Sequence, residues 1–265
     1  MKKFITIVCL SLTLSLALHV FAQEKDPTIK DTEKVVKSDT DKIDPTKHAK
    51  ELMLMARKAK SEKPLSEVKD IKITSIVELV FSGNNFEVSN ETTIKFPNKS
   101  LTIINGPFGE IKNSYDGNIA WAVTPGGTQE MVGDNAVEFE NALAGDLLSI
   151  LKNFDQENHK VTFLEEVCFE GQMINIVLFT TNTGHEIKLY LDPKTNMIKG
   201  KSFQSKAAGL TVVNEEIYSD FQKFEGVQIP MRRVIKRNGQ PFANVEIKEV
   251  KINSGIDDKI FVKPQ

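Results

Sequence analysis

YLDPKTNMI, Tyr190 to Ile198, follows directly on GHEIKL, Gly184 to Leu189. An acid, a base and a histidine stand within a few residues, as they would in an active site. The same residues also spell two strands and a tight turn. Ile187, Leu189 and Leu191 fall on one side of an extended chain, and Glu186, Lys188 and Tyr190 on the other. Asp192 to Asn196 supplies turn chemistry, because proline presets one dihedral and asparagine tolerates a left-handed one. His185 then marks the strand's far end, ~20 Å away at the usual rise of ~3.3 Å per residue. The stretch reads as a hairpin, and its polar residues as punctuation.

The same two-residue period runs through most of the chain. From Val68, Ile71, Ile73, Val77, Leu79 and Phe81 share one face, and Phe86, Val88, Thr92, Ile94 and Phe96 continue the alternation beyond a turn at Ser82 to Asn85. Strands are expected near Leu101–Ile104, Gly109–Ser114 and Ile119–Val123. Seven more follow between Val161 and Ile252. Late in the chain Val245 and Ile247 share a parity, but Val250 and Ile252 take the other, which predicts a β-bulge between them. The total is eleven to thirteen strands with short connections, and so an antiparallel meander.

Two amphipathic helices interrupt this pattern. Asp44-Pro45 is a helix start, and Ala49, Leu52, Met53, Ala56 and Ala59 form its apolar stripe. A second helix fits Asp134 to about Phe154, with Asp134 as its cap. So many strands must curl. The expected fold is mainly β with two or three helices (α+β): a strongly curved antiparallel sheet, an open half-barrel of about 11 strands, with helices covering the concave hydrophobic face.

The ends bound the class of protein. MKKFITIVCLSLTLSLALHVFAQ has a short basic start and an apolar run too short to span a membrane, so residues 1–22 read as a signal peptide cleaved after Ala22. Residues 23–43 are densely charged without an apolar period and read as a disordered linker. Residues 44–265 form one domain. Export to the periplasm as a soluble protein follows as an expectation. The formal charge of −2 becomes −4 (32 − 36) once two lysines leave with the signal, which argues against a nucleic-acid partner. Cys168 alone survives processing, so no internal disulfide forms.

A search for chemistry returns little. His48, His159 and His185 lack partners at metal spacing, and HExxH, CxxC and GxSxG are absent. No catalytic residue, metal or cofactor is expected. Cys168 reads as a buried structural thiol, and the adjacent acids Glu165-Glu166, Glu215-Glu216 and Asp257-Asp258 as solvated positions. Arg233 shares parity with Val227, Ile229 and Met231, which leaves a strand-end ion pair or an inward-facing arginine at a cavity mouth.

HAKELMLMARKAK, IKFPN, YDGNIAW, TPGG, YLDPKTNMIKG, YSDFQKFEGVQIPMRRV and VKINSGIDDKIFVKP together resemble the periplasmic lipoprotein-carrier superfamily typified by LolA, from about Thr46 to Pro264. The resemblance implies an open β-barrel with helices as a lid over a hydrophobic cavity that holds lipid or lipoprotein acyl chains. It also implies transient membrane-protein partners of the envelope and a monomer. Pro97 and Asn98 match the carriers' Pro-Asn, and Asp116, Gly117 and Trp121 their Asp-Gly turn and following aromatic. The carriers place an arginine before that proline to help hold the lid closed; here Phe96 stands there, so a lid must latch otherwise or close by apolar contact. The candidate lining is Val77, Leu79, Phe81, Phe86, Val88, Ile94, Phe96 and Trp121, with Met53 and Leu143 from the helices. A structural or protein-interaction module of the same fold, its interior filled by its own side chains, is the alternative.

Overall fold

Asp44 starts the first helix as its neighbour Pro45 suggests: its carboxylate accepts from the backbone N–H of Thr46 (2.9 Å) and Lys47 (3.2 Å). Helix α1, Pro45–Lys60, buries Ala49, Leu52, Met53, Ala56 and Lys60 along one stripe and ends at Ser61. A computed structural model describes residues 44–81, 84–169, 171–207 and 210–264. The expected signal peptide and linker lie outside the described residues, as does part of the turn expected at 82–85.

After a 3-10 turn (Leu65–Glu67) come six strands: β1 Asp70–Phe81, β2 Asn84–Lys95, β3 Lys99–Gly106, β4 Gly109–Tyr115, β5 Ala120–Thr124 and β6 Gly127–Met131. Two helices follow, α2 Asp134–Ala144 and α3 Leu147–Asn153. Seven further strands complete the domain: β7 Lys160–Phe169, β8 Gln172–Thr180, β9 Glu186–Leu191, β10 Ile198–Ala207, β11 Leu210–Phe224, β12 Val227–Arg237 and β13 Gln240–Ile252. The thirteen strands make one open antiparallel sheet in the order β6-β5-β4-β3-β2-β1-β13-β12-β11-β10-β9-β8-β7. The half-barrel does not close.

That order explains the position of the helices. Each wing is a hairpin meander, and the wings meet where β1 pairs with β13. Strands β6 and β7 are therefore neighbours along the chain but lie at opposite edges of the sheet. The segment joining them, α2 and α3, must cross the whole sheet. Its apolar residues Phe139, Leu143, Leu147 and Leu148 bury against one face, together with α1 and with Ile71, Ile94, Phe179, Leu189 and Ile229 of the strands.

The expected single helix from Asp134 to Phe154 is two. Gly145 ends α2, and Asp146 restarts the chain as α3 by accepting from the N–H groups of Leu148 (2.9 Å) and Ser149 (3.2 Å). Asp134 is the first residue of α2 and not its cap; Gly133 takes that place at a φ of 60°. The late bulge is present: Ile247 pairs with Ser75 and Glu249 with Thr74, which leaves Lys248 as the extra residue. The opening hairpin also holds, with Asn196 at φ 57° and the Asp192 carboxylate accepting from the Lys194 N–H at 2.9 Å.

The other face of the sheet has its own cover. Beyond β13 the chain runs back as a strap to a 3-10 turn at Asp258–Phe261. The buried Asp70 carboxylate accepts from Ser254 and Gly255, Lys95 and Lys99 pair with Asp258, and Phe261 packs on Leu101 and Trp121. The indole Nε1 of Trp121 donates to the Phe261 carbonyl at 2.7 Å.

Candidate functional site

The helices are fastened over the sheet by polar contacts at their ends. Arg57 of α1 donates through Nε to the Leu151 carbonyl (2.6 Å), grips Asp155 with both terminal nitrogens (2.9 and 2.8 Å) and lies 4.2 Å over the Phe154 ring. Lys152 of α3 reaches down to the carbonyls of Leu65 (2.5 Å) and Val68 (2.8 Å), with its ammonium 4.5 Å from the Phe96 ring. At Phe96 a cation of α3 therefore rests on an aromatic ring at the end of β2. Tyr115 donates to Glu140 of α2 (3.1 Å), and burial together with that carboxylate pushes its hydroxyl up to about 12, so it stays a donor.

Charge-assisted bonds of this kind are each worth about 1.5–3 kcal/mol. Lys152→Ala is therefore expected to speed hydrogen exchange of the α3 amides about tenfold or more. The amides of β8 and β9 should keep their protection. Equal acceleration in both regions would show that α3 has no independent opening.

The covered face is a trough with three zones. At one end the helices pack directly on it. At the far end Val77, Leu79, Val88, Ile104, Ile235 and Ala243 form a second apolar cluster, with the partly buried Phe86, Phe108, Phe242 and Val245 packed against it. Arg237 stacks 3.7 Å over the Phe242 ring at that end. Two small gaps lie on this face, one of about 30 Å³ at the edge of the far cluster and one of about 40 Å³ beneath the helices. Ile73, Thr92 and Arg233 line both.

The middle zone is ionic. Lys201 of β10 donates to the Gly145 carbonyl at the α2–α3 junction (2.7 Å) and lies 3.4 Å from Glu216 of β11, to which Tyr218 also donates (2.7 Å). Lys60, Arg233 and Asp146 complete the wall. Glu216 is 2 % exposed and Lys60 4 %. Burial alone would raise the Glu216 carboxyl, but Lys201 and Arg233 with the Tyr218 hydrogen bond hold it below its usual range. Burial pushes Lys60 down to about 8, partly offset by Asp146 and reinforced by Arg233. His185 nearby is lowered to about 4 by burial and by Lys201, so it is neutral at physiological pH.

The structure separates the expected lining residues. Val77, Leu79, Phe86 and Val88 meet in the far apolar cluster. Ile94, Phe96, Met53 and Leu143 meet beneath the helices. Phe81 holds its place in β1, but its side chain lies outside the described residues. Trp121 does not share this face: its partner Ser114 pairs with Leu101, and all three point toward the strap. Two more expectations need correcting. Cys168 is exposed, because β7 runs on past Phe163, where α1 packs through His48 at 4.7 Å, into solvent. It also stands at the other end of β7 from His159, ~30 Å along the strand. Glu216 is buried, because its parity with Asn214 and Tyr218 turns it inward beneath the helices. Arg233 faces the trough, as one of its two readings had it. The ionic zone was missed, and its signal lay in register: Lys201 pairs across the strands with Glu216. Among the described residues no three His, Cys, Asp or Glu side chains converge as metal ligands, and no helix is long and apolar enough to cross a membrane.

No protein-family model and no curated protein matches the sequence. Solved structures do match. A DUF1329 family protein from Desulfovibrio piger superposes with a TM-score of 0.60 at 14 % identity, over 83 % of this chain and 98 % of that one. A putative outer membrane lipoprotein-sorting protein domain from Vibrio parahaemolyticus gives 0.56 at 14 %, over 80 % and 97 %. A LolA superfamily protein from Nitrosomonas europaea gives 0.56 at 13 %, over 81 % and 97 %. At these identities the likeness is one of fold.

Proposed function

Starting from a LolA-like open half-barrel with a lidded trough, we propose that the protein binds lipid or lipoprotein acyl chains on the covered face, in exchange with its own helices. The observation that carries this reading is the far zone of the trough. Its apolar strand residues continue past the helices, and among the described residues the hydrophobic side chains packed against them are the partly buried Phe86, Phe108, Phe242 and Val245. Burial of a chain contributes about 0.8 kcal/mol per CH₂. An acyl chain replacing Leu147 and Leu148 would return that much to the strands as the helices lift, so closed and loaded states can lie close in free energy. Export through residues 1–22 and a tether over residues 23–43 belong to the same proposal.

A second reading rests on a different observation. The gaps of about 30 and 40 Å³ hold a few waters at most. In the closed form the trough is filled by side chains, as in a structural, sensor or protein-interaction module of the cell envelope. Native mass spectrometry after gentle purification separates the two. Bound lipid mass, lost on collisional activation, is the expected result; a clean apo mass from every preparation favours the filled module.

A further inference from the structure

The ionic zone holds one more cation than anion. Lys60, Lys201 and Arg233 face Glu216 and Asp146 in a gap of about 40 Å³. Both anions are already engaged: Glu216 with Lys201 and the Tyr218 hydroxyl, and Asp146 as the cap of α3. Tyr218 is held far above its ordinary value by burial and by Glu216, so it adds no charge. Two donors are left over. The Nε of Arg233 is fully enclosed and has no hydrogen-bond partner. Lys60 as a residue is 4 % exposed; Asp146 is the anion that acts on it, and among the described residues the lysine's ammonium makes no hydrogen bond or ion pair within 4 Å. Buried charge is expensive unless paired, and these two groups line one space.

We propose that this gap is an oxyanion site, in which Lys60 and Arg233 take the carboxylate or phosphate end of an acyl amphiphile. Arg233 borders both gaps, so a chain leaving the site runs along Val77, Val88, Ile104 and Ile235 toward the far zone. The proposal rests on the acyl-binding reading above and adds the chemistry of the ligand's head.

The test is calorimetric titration of the intact exported chain with dodecanoate, dodecanol and inorganic phosphate. Dodecanoate is expected to bind about tenfold or more tighter than dodecanol. Lys60→Met and Arg233→Met should each shrink that ratio while leaving dodecanol unchanged. Lys60→Met should also raise the Tm of the empty protein, because it removes an unpaired buried charge; a structural lysine would lower it. Equal affinity for acid and alcohol overturns the oxyanion site and leaves acyl binding standing. Binding of neither amphiphile overturns both. Phosphate bound as tightly as dodecanoate would assign the site to a free oxyanion and overturn the lipid head. Should Arg233→Met fail to fold, the wild-type comparison and Lys60→Met decide.

Discussion

Glu216→Ala is expected to lower the free energy of unfolding by about 3–5 kcal/mol at neutral pH. The magnitude comes less from the lost ion pair than from what it leaves behind. Lys201 and Arg233 would remain under the helices beside Lys60 with Asp146 as their only countercharge, and the Tyr218 hydroxyl would lose its acceptor. Chemical denaturation checks this as a fall in midpoint at constant slope. The pH dependence carries a sign. Because the folded carboxyl titrates below its ordinary range, its contribution is complete above the unfolded value near 4.5 and disappears as pH falls through the folded one. The gap between wild type and variant should therefore narrow in acid. A gap that stays constant down to the lowest pH at which the protein folds would mean that Glu216 contributes by packing alone.

Phe154→Ala should have a comparable effect, about 3–5 kcal/mol, through a different mechanism. The ring is 1 % exposed at the C-terminal end of α3. It fills the main core from above, and the Arg57 guanidinium rests on its outer side. Truncation opens a cavity and removes the platform that orients Arg57 toward Leu151 and Asp155, so the core and the Arg57 contacts fail together. Arg57→Ala alone should cost clearly less, since the core stays filled. Thermal melts of the two variants and their combination measure the coupling; strict additivity would show that the ring and the Arg57 contacts act independently.

These contributions show what one sequence can and cannot disclose. The strands were legible because alternation at Ile187, Leu189 and Leu191, or at Val77 and Leu79, is a local property. The bulge at Lys248 was legible for the same reason, as a slip of phase. Parity sorts residues into two sets, but it does not say what covers each set. Trp121 was assigned to the trough because it is large and apolar, yet the strap gives the opposite face a core of its own. Glu216 was read as solvated because nothing in its sequence neighbourhood reveals that it opposes Lys201 across β10 and β11. The break at Gly145-Asp146 was written in plain capping residues, but a continuous apolar face from Phe139 to Leu151 concealed it.

The strap has an optical consequence. Trp121 is the chain's single tryptophan, and it sits on the side of the sheet away from the helices, hydrogen-bonded to the Phe261 carbonyl and enclosed with Leu101. Its emission is therefore expected to be insulated from any ligand bound in the trough. An intrinsic-fluorescence titration would thus stay flat through a genuine binding event, while a denaturant melt would show a full red shift. For this molecule a silent tryptophan says nothing against a ligand, and a reporter of loading has to be placed on the other side of the sheet.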